Sequence, residues 1–181
     1  MDEIVKAALK KWPNVPHSYG WLGLDARGDW YMRDEQVQAA GTFPAVKGSR
    51  IEHEKLREFI GRNYLADEAG CWFFQNGPQR VYAELEAAPW VWRLDDAGGA
   101  TAVQGHTGQA ARVESVWIDE GGRLFLATDA GFGIVHSLDM ECASRAVERG
   151  DWAPQDAAFA DLPARFGYRL SPAAQPSAAA R

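Results

Sequence analysis

The sequence predicts an α+β protein, built mainly from antiparallel sheets or half-barrels in two related subdomains, each with a packed helix. Three observations carry this. Stretches rich in strand formers are broken by Gly-bearing turns. Apolar residues recur at helical spacing in three separate stretches. An acidic turn pattern also repeats, as Asp25-x-x-Gly28-x-Trp30-Tyr31, Asp67-x-x-Gly70-x-Trp72-Phe73 and Asp119-x-x-Gly122-x-Leu124-Phe125. Such turns are common in β proteins, so the repetition admits either a duplicated unit or simple recurrence of a good turn.

Residues 3–12 form the first expected helix, with Ile4, Val5, Ala8, Leu9 and Trp12 on one face, Asp2 at the N-cap and Pro13 as the stop. Residues 21–33 read as a hairpin, and residues 34–48, with Gly41, Pro44 and Gly48, as a loop. The clearest helix spans 50–65: Ser49-Arg50-Ile51-Glu52 has the form of a capping box, Leu56, Phe59, Ile60 and Tyr64 share a face, and Glu58 and Arg62 are spaced as an i,i+4 pair. Strands are expected over 71–74, 80–85, 90–94, 113–118, 123–128 and 132–135, with a short one at 101–103.

Residues 137–148 form another helix, with Ser137 as cap and Leu138, Cys142, Ala143, Ala146 and Val147 on its apolar face. A helical turn near 154–160 and an edge strand over 166–170 complete the set. This gives a docking helix and linker over 1–20, a first β-rich subdomain over 21–100, a second over 101–170, and an Ala/Pro/Ser tail over 171–181 expected to be disordered.

Composition narrows the function classes. A chain of 181 residues buries roughly 70% of its unfolded surface and can hold a core without disulfides or metal. The net charge is −6 and basic residues are scattered, which argues against nucleic acid and anionic membranes as partners. No apolar run approaches the ~20 residues of a membrane span, the acidic start is not a signal peptide, and the two cysteines lack motif spacing, so a cytoplasmic location is expected.

No catalytic pattern emerges. His17, His53, His106 and His136 lack metal-ligand spacing, and no metal or other cofactor is expected. His136, Ser137 and Asp139 supply triad residue types, but as sequence neighbours without a nucleophile elbow, so Ser137 is better read as a cap. Cys71 lies in an apolar strand, which disfavours a thiolate. Glu84 and Glu86 share a strand face and could form a carboxylate pair, although solvent-facing charge is the usual reason for that spacing. Gly131-Phe132-Gly133 fits no phosphate loop and marks a close approach of strands.

Eight tryptophans are too many to bury completely, which fits an aromatic-lined groove or a homo-oligomer interface. The candidate ligand-binding residues are His17, Tyr19 and Trp21 from the irregular aromatic stretch, joined by Arg50 and His53 at the start of the 50–65 helix. There, backbone N–H groups would suit a flat acidic ligand or a peptide carboxylate. The alternative is that this stretch only pins the first helix to a sheet.

One further likeness is in the order of segments. Gly28-x-Trp30-Tyr31, a helix from Ile51 to Phe59, Gly70-x-Trp72-Phe73-Phe74, Pro78-x-x-Val81 and Leu85-Glu86-Ala87-Ala88-Pro89-Trp90 follow one another across residues 22–135. This succession resembles an uncharacterised proteobacterial family of domains of unknown function. The resemblance implies two related β-rich subdomains, each with a helix and similar to half-barrels of the pleckstrin-homology type, and a role in signalling, with no catalytic residue to carry over.

The leading expectation is a non-enzymatic module that binds a small ligand or a protein; the alternative is an enzyme, such as a hydrolase, whose site is assembled from sequence-distant Glu and His residues. Because neither cysteine has a spaced partner, reductant or chelator should leave the thermal unfolding midpoint unchanged. A drop of many degrees in a calorimetric scan with either reagent would contradict this.

Overall fold

The computed structural model describes residues 1–97 and 99–172, so the tail expected from Ser171 lies almost wholly outside the described residues. The α+β class holds: helices pack with two mixed sheets. The chain divides into two units, residues 1–25, 29–86 and the C-terminal stretch from Tyr168 in the first, and 26–28 with 87–167 in the second.

In the first unit, α1 (Glu3–Lys11) precedes β1 (Ser18–Leu24) and β2 (Trp30–Met32). Then come α2 (Glu35–Ala40), β3 (Ser49–Arg50), α3 (Glu54–Arg62), β4 (Tyr64–Ala66), β5 (Trp72–Asn76) and β6 (Gln79–Leu85). The sheet order is β3-β2-β1-β6-β5-β4. Every pairing is antiparallel except β1 with β6, which is parallel.

The second unit contains β7 (Trp90–Asp95), β8 (Ala102–Gly105), β9 (Ala110–Ala111), β10 (Val113–Ile118), β11 (Leu124–Thr128) and β12 (Gly131–Val135). A 3-10 turn at Ser137–Asp139 leads into α4 (Met140–Glu148), followed by β13 (Pro154–Asp156), a second 3-10 turn at Phe159–Asp161 and α5 (Leu162–Phe166). Read from β9, its sheet runs β9-β8-β7-β12-β11-β10-β13, with β7 parallel to β12. Six strands therefore repeat the order and pairing sense of the first sheet, each strand six places later in the chain. The helices do not repeat: α3 falls between the third and fourth strands of its unit, whereas α4 follows the sixth.

The recurring Asp-x-x-Gly segments are three-residue hairpin loops. In each, the Asp Oδ1 accepts the N–H of the residue four places on: Asp25 from Asp29 at 3.0 Å, Asp67 from Cys71 at 2.9 Å, and Asp119 from Arg123 at 2.8 Å. The glycines have φ of +82°, +77° and +75°, the left-handed region that closes such a loop and that other residues adopt at a cost. The second and third copies sit at equivalent places, between β4 and β5 and between β10 and β11.

Several local expectations give way to tertiary pairing. Ser49 and Arg50 do not begin a helix; they pair as strand with Met32 and Tyr31. The cap of α3 passes to His53, whose Nδ1 accepts the N–H of Leu56 at 3.3 Å. Arg62 turns from Glu58 to Asp2, at 3.3 Å, so the Asp2 carboxylate makes no cap hydrogen bond to α1. Only Val5 of the expected α1 face is fully buried; Ile4 and Trp12 are exposed. The 34–48 loop contains α2, and its buried Arg33 neighbour donates to three carbonyls, those of Gly20, Gly41 and Val46.

At the second helix, His136 rather than Ser137 accepts the first N–H, that of Leu138 at 3.1 Å. Asp139 is held by a forked pair with Arg93 at 2.6 and 3.0 Å, and Leu138 is left exposed. The expected last strand is replaced: Phe166 ends α5, and Leu170 accepts the N–H of Leu85 outside any strand. The expected helical turn near 154–160 splits into β13 and a 3-10 turn, because Pro154–Asp156 pairs parallel with β10.

The Gly-Phe-Gly segment of β12 is a close approach, as expected. Gly133 lies opposite Trp90, and a Cβ there would come within 2.5 Å of Trp90 Cβ and Trp92 Nε1, where the two indoles stack at 5.5 Å. Gly133→Ala should therefore destabilise by about 2–3 kcal/mol through overpacking. Ser49→Ala, in contrast, should stay within about 0.5 kcal/mol, since Ser49 is exposed and caps nothing. Urea melts of the two variants check the contrast, and a loss of about 1 kcal/mol in Ser49→Ala would restore the capping role.

Candidate functional site

The first unit contains a cavity of about 430 Å³ between its sheet and α3. Ser18, Trp21 and Leu22 come from β1, Met32 from β2, Phe74 and Asn76 from β5, Gln79 and Val81 from β6; Ile51 and the α3 residues Leu56, Phe59 and Ile60 complete the lining. Alternation along β6 puts Val81 on the cavity face and Tyr82 on the other. Strict alternation along β1 would separate Trp21 from Leu22. The register of β1 against β6 shifts between Ser18 and Leu22, around Gly20 with φ +78°, and this irregularity lets both residues reach the cavity. Trp21 and Met32 keep 41% and 52% of their surface exposed.

The lining is apolar except at one end. Asn76 pairs with Gln79 where β5 meets β6, and Ser18 lies opposite Val81 at the start of β1, so the three polar residues share one end of the sheet. Among the described residues the lining contains no ionisable side chain. Gln79 is oriented by donating from Nε2 to the Pro16 carbonyl at 3.0 Å.

The opposite face carries a buried apolar cluster of Cys71, Phe73 and Tyr82 and, elsewhere, a densely paired polar group. Lys47 Nζ bridges Asp25 at 3.0 Å and Glu86 at 2.9 Å, and the Tyr31 hydroxyl donates to Asp25 at 3.2 Å. Burial opposes the Lys47 charge, but the hydrogen bonds to Glu86 and Asp25 outweigh it and leave its pKa raised. Burial, and then Asp25, raise the Tyr31 hydroxyl. Glu84 is buried rather than solvent-facing, and Glu86 is engaged by Lys47.

Of the five sequence candidates, Trp21 lines the cavity and His53 caps the helix that roofs it. Tyr19 stacks on Tyr82 at 4.6 Å and His17 meets the same ring edge-on at 5.8 Å, which places both on the face away from the cavity. Arg50 pairs opposite Tyr31, whose neighbour Met32 faces the cavity, so Arg50 also belongs to the far face, where it binds Asp29 at 2.8 Å. The structure thus gathers His17, Tyr19 and Arg50 on the far face and separates them from Trp21 and His53, so the expected anion site is not assembled. Leu56, Phe59, Phe74 and Val81, by contrast, had only a core signature, because an apolar helix face looks the same whether it meets a filled core or a cavity.

Residues 1–173 match the model of a family, DUF2944, described as "Protein of unknown function (DUF2946)". The chain belongs to this family. The resemblance to a family of unknown function, drawn above from segment order, is thereby upheld. No curated protein matches. Two solved structures are similar. A DUF1285 family protein from Silicibacter pomeroyi DSS-3 has a TM-score of 0.48 at 12% identity, covering 79% of this chain and 83% of that one. A DUF1285 family protein from Shewanella baltica OS155 has a TM-score of 0.45 at 14% identity, covering 69% and 91%. No helix among the described residues of this DUF2944 member is long and apolar enough to cross a membrane.

The histidines serve packing and capping. His17 titrates below its ordinary value because of burial, reinforced by the Arg80 charge. In the second unit His106 accepts the Val91 N–H at Nδ1, 3.3 Å, and its Nε2 is sealed from solvent beside Trp90. Burial pushes its pKa down to about 3. The folded state therefore keeps His106 neutral while the unfolded chain protonates near pH 6.5. Its contribution to stability is complete above that pH and is lost as pH falls from about 6.5 toward 3. His106→Gln should flatten the decline of the unfolding free energy over that window relative to the unmodified protein. Parallel pH profiles from denaturant melts would refute this.

Proposed function

We propose that the protein is a non-enzymatic binding module whose ligand occupies the cavity under α3. The observation that carries this reading is the composition of the lining: aromatic and aliphatic walls with a few hydroxyl and amide groups at one end. Ligand sites are typically concave, mostly apolar and about 300–1,000 Å³, with a small number of polar groups that fix orientation. Acid–base or nucleophilic chemistry instead calls for titratable groups converging on the pocket, and the ionisable cluster around Lys47 belongs to the other face of the sheet.

Trp21 offers a large, partly exposed aromatic surface at the cavity for the ligand to contact. His17, Tyr19 and Arg50 then act as supports: the first two pack Tyr82, and Arg50 holds the β1–β2 hairpin through Asp29. A regulatory role follows if ligand binding stabilises α3 against the sheet, since anything that binds only the folded state raises its stability by mass action.

The test is a small-molecule fragment screen by ligand-observed NMR, run on the unmodified protein and on Leu56→Trp, in which the added indole fills the cavity. Hits that bind the unmodified protein should lose at least about tenfold in affinity in the variant, the equivalent of about 1.4 kcal/mol. Hits that bind both forms equally, or a screen with no hits, would refute the assignment of this cavity.

A further inference from the structure

We infer that the ligand of this cavity is an uncharged amphipathic molecule. It would have an extended apolar chain under α3 and a neutral hydrogen-bonding head, an amide or a hydroxyl, at the Asn76–Gln79 end. The inference rests on the cavity being the ligand site, and it goes further by fixing ligand charge, polarity and orientation.

Charge follows from the lining. Among the described residues the cavity wall offers no cation to a carboxylate or phosphate and no anion to an amine. Moving a charged group into such a wall without a partner is strongly unfavourable even after relaxation. A neutral head loses much less, because hydroxyl and amide partners return its hydrogen bonds.

Orientation follows from register. Asn76 and Gln79 are cross-strand partners, and Ser18 lies opposite Val81, so the polar residues gather at one end of the sheet. Leu22 lies opposite Ala83, four residues along β6 from Gln79, and pairs in turn with Met32. Four residues of strand span about 13 Å. The apolar path from the polar end toward Met32 is thus long enough for an extended aliphatic chain, and Leu56, Phe59 and Ile60 of α3 line it from above. Neither of the two amides is a charged group in disguise: their donors and acceptors complement an amide or an alcohol equally well.

The experiment titrates the full chain with decanamide, decanol and decanoate by isothermal calorimetry at neutral pH, where the acid is ionised. Decanamide and decanol should bind at least about tenfold more tightly than decanoate, about 1.4 kcal/mol. Leu56→Trp should abolish binding of both neutral probes. Val81→Phe, which fills the cavity from the sheet side, should do the same and guards against a folding defect in the first variant. Asn76→Leu should weaken decanamide several-fold, and an unchanged affinity would overturn the placement of the head.

Decanoate binding as tightly as the neutral probes, with Leu56→Trp still abolishing it, would overturn the inference about charge while leaving the cavity as the site. No binding of any probe to the unmodified protein, or binding that survives both filling variants, would overturn the inference together with the reading beneath it.

Discussion

Parallel strands cannot be joined by a hairpin. The pairing of β1 with β6 therefore commits everything between them, two further meander strands on each side and two helices, to a single long crossover. Each half of that crossover is itself an antiparallel meander, β1-β2-β3 and β4-β5-β6, so the chain must travel from one outer edge of the sheet to the other between β3 and β4. The segment that makes this journey is α3. Its position over the sheet face is a consequence of that edge-to-edge passage, and its apolar stripe supplies the burial that holds it there.

The same constraint accounts for the cavity. A helix of nine residues crossing a six-stranded sheet covers only part of it, and the space left beside Leu56 and Phe59 is framed by strand residues that point to that face. The second unit repeats the strand order but joins β9 to β10 almost directly, so no helix crosses between its two meanders. Its helix α4 follows the sixth strand instead and is fixed to β7 and the turn after it by charge. Arg93 forks onto Asp139, and Arg145 reaches Asp96 at 2.6 Å. One strand plan thus yields an apolar cavity roofed by a helix in one unit and a helix clamped by ion pairs in the other. Where the helix enters the chain makes the difference.

The two faces of the first sheet divide the chemistry. One face holds the ionisable cluster of Asp25, Lys47 and Glu86 and the Tyr19–Tyr82 stack. Lys47 is paired there with both Asp25 and Glu86, and Arg50 with Asp29, which is the arrangement of a structural network. The cavity face holds neutral groups only among its described lining residues. A membership in a family of unknown function adds no activity to this division, so the chemistry of the lining carries the functional reading.

The sequence by itself determined the class, the strand-rich segments, the close approach at Gly133 and the three Asp-Gly loops. These depend on local physics: alternation of side chains, the steric freedom of glycine at positive φ, and the reach of an Asp carboxylate to nearby backbone N–H groups. Tertiary structure decided what competes with local preference. Ser49 has every local reason to cap a helix, yet edge pairing with Met32 takes it as strand. Ile4, Trp12 and Leu138 have the spacing of buried residues, yet nothing in their own units covers them fully. The cavity was illegible for the same reason. Whether Leu56, Phe59, Phe74 and Val81 meet one another or leave a space depends on the register of β1 against β6, and a parallel pairing between strands more than fifty residues apart leaves no mark in either strand's own composition.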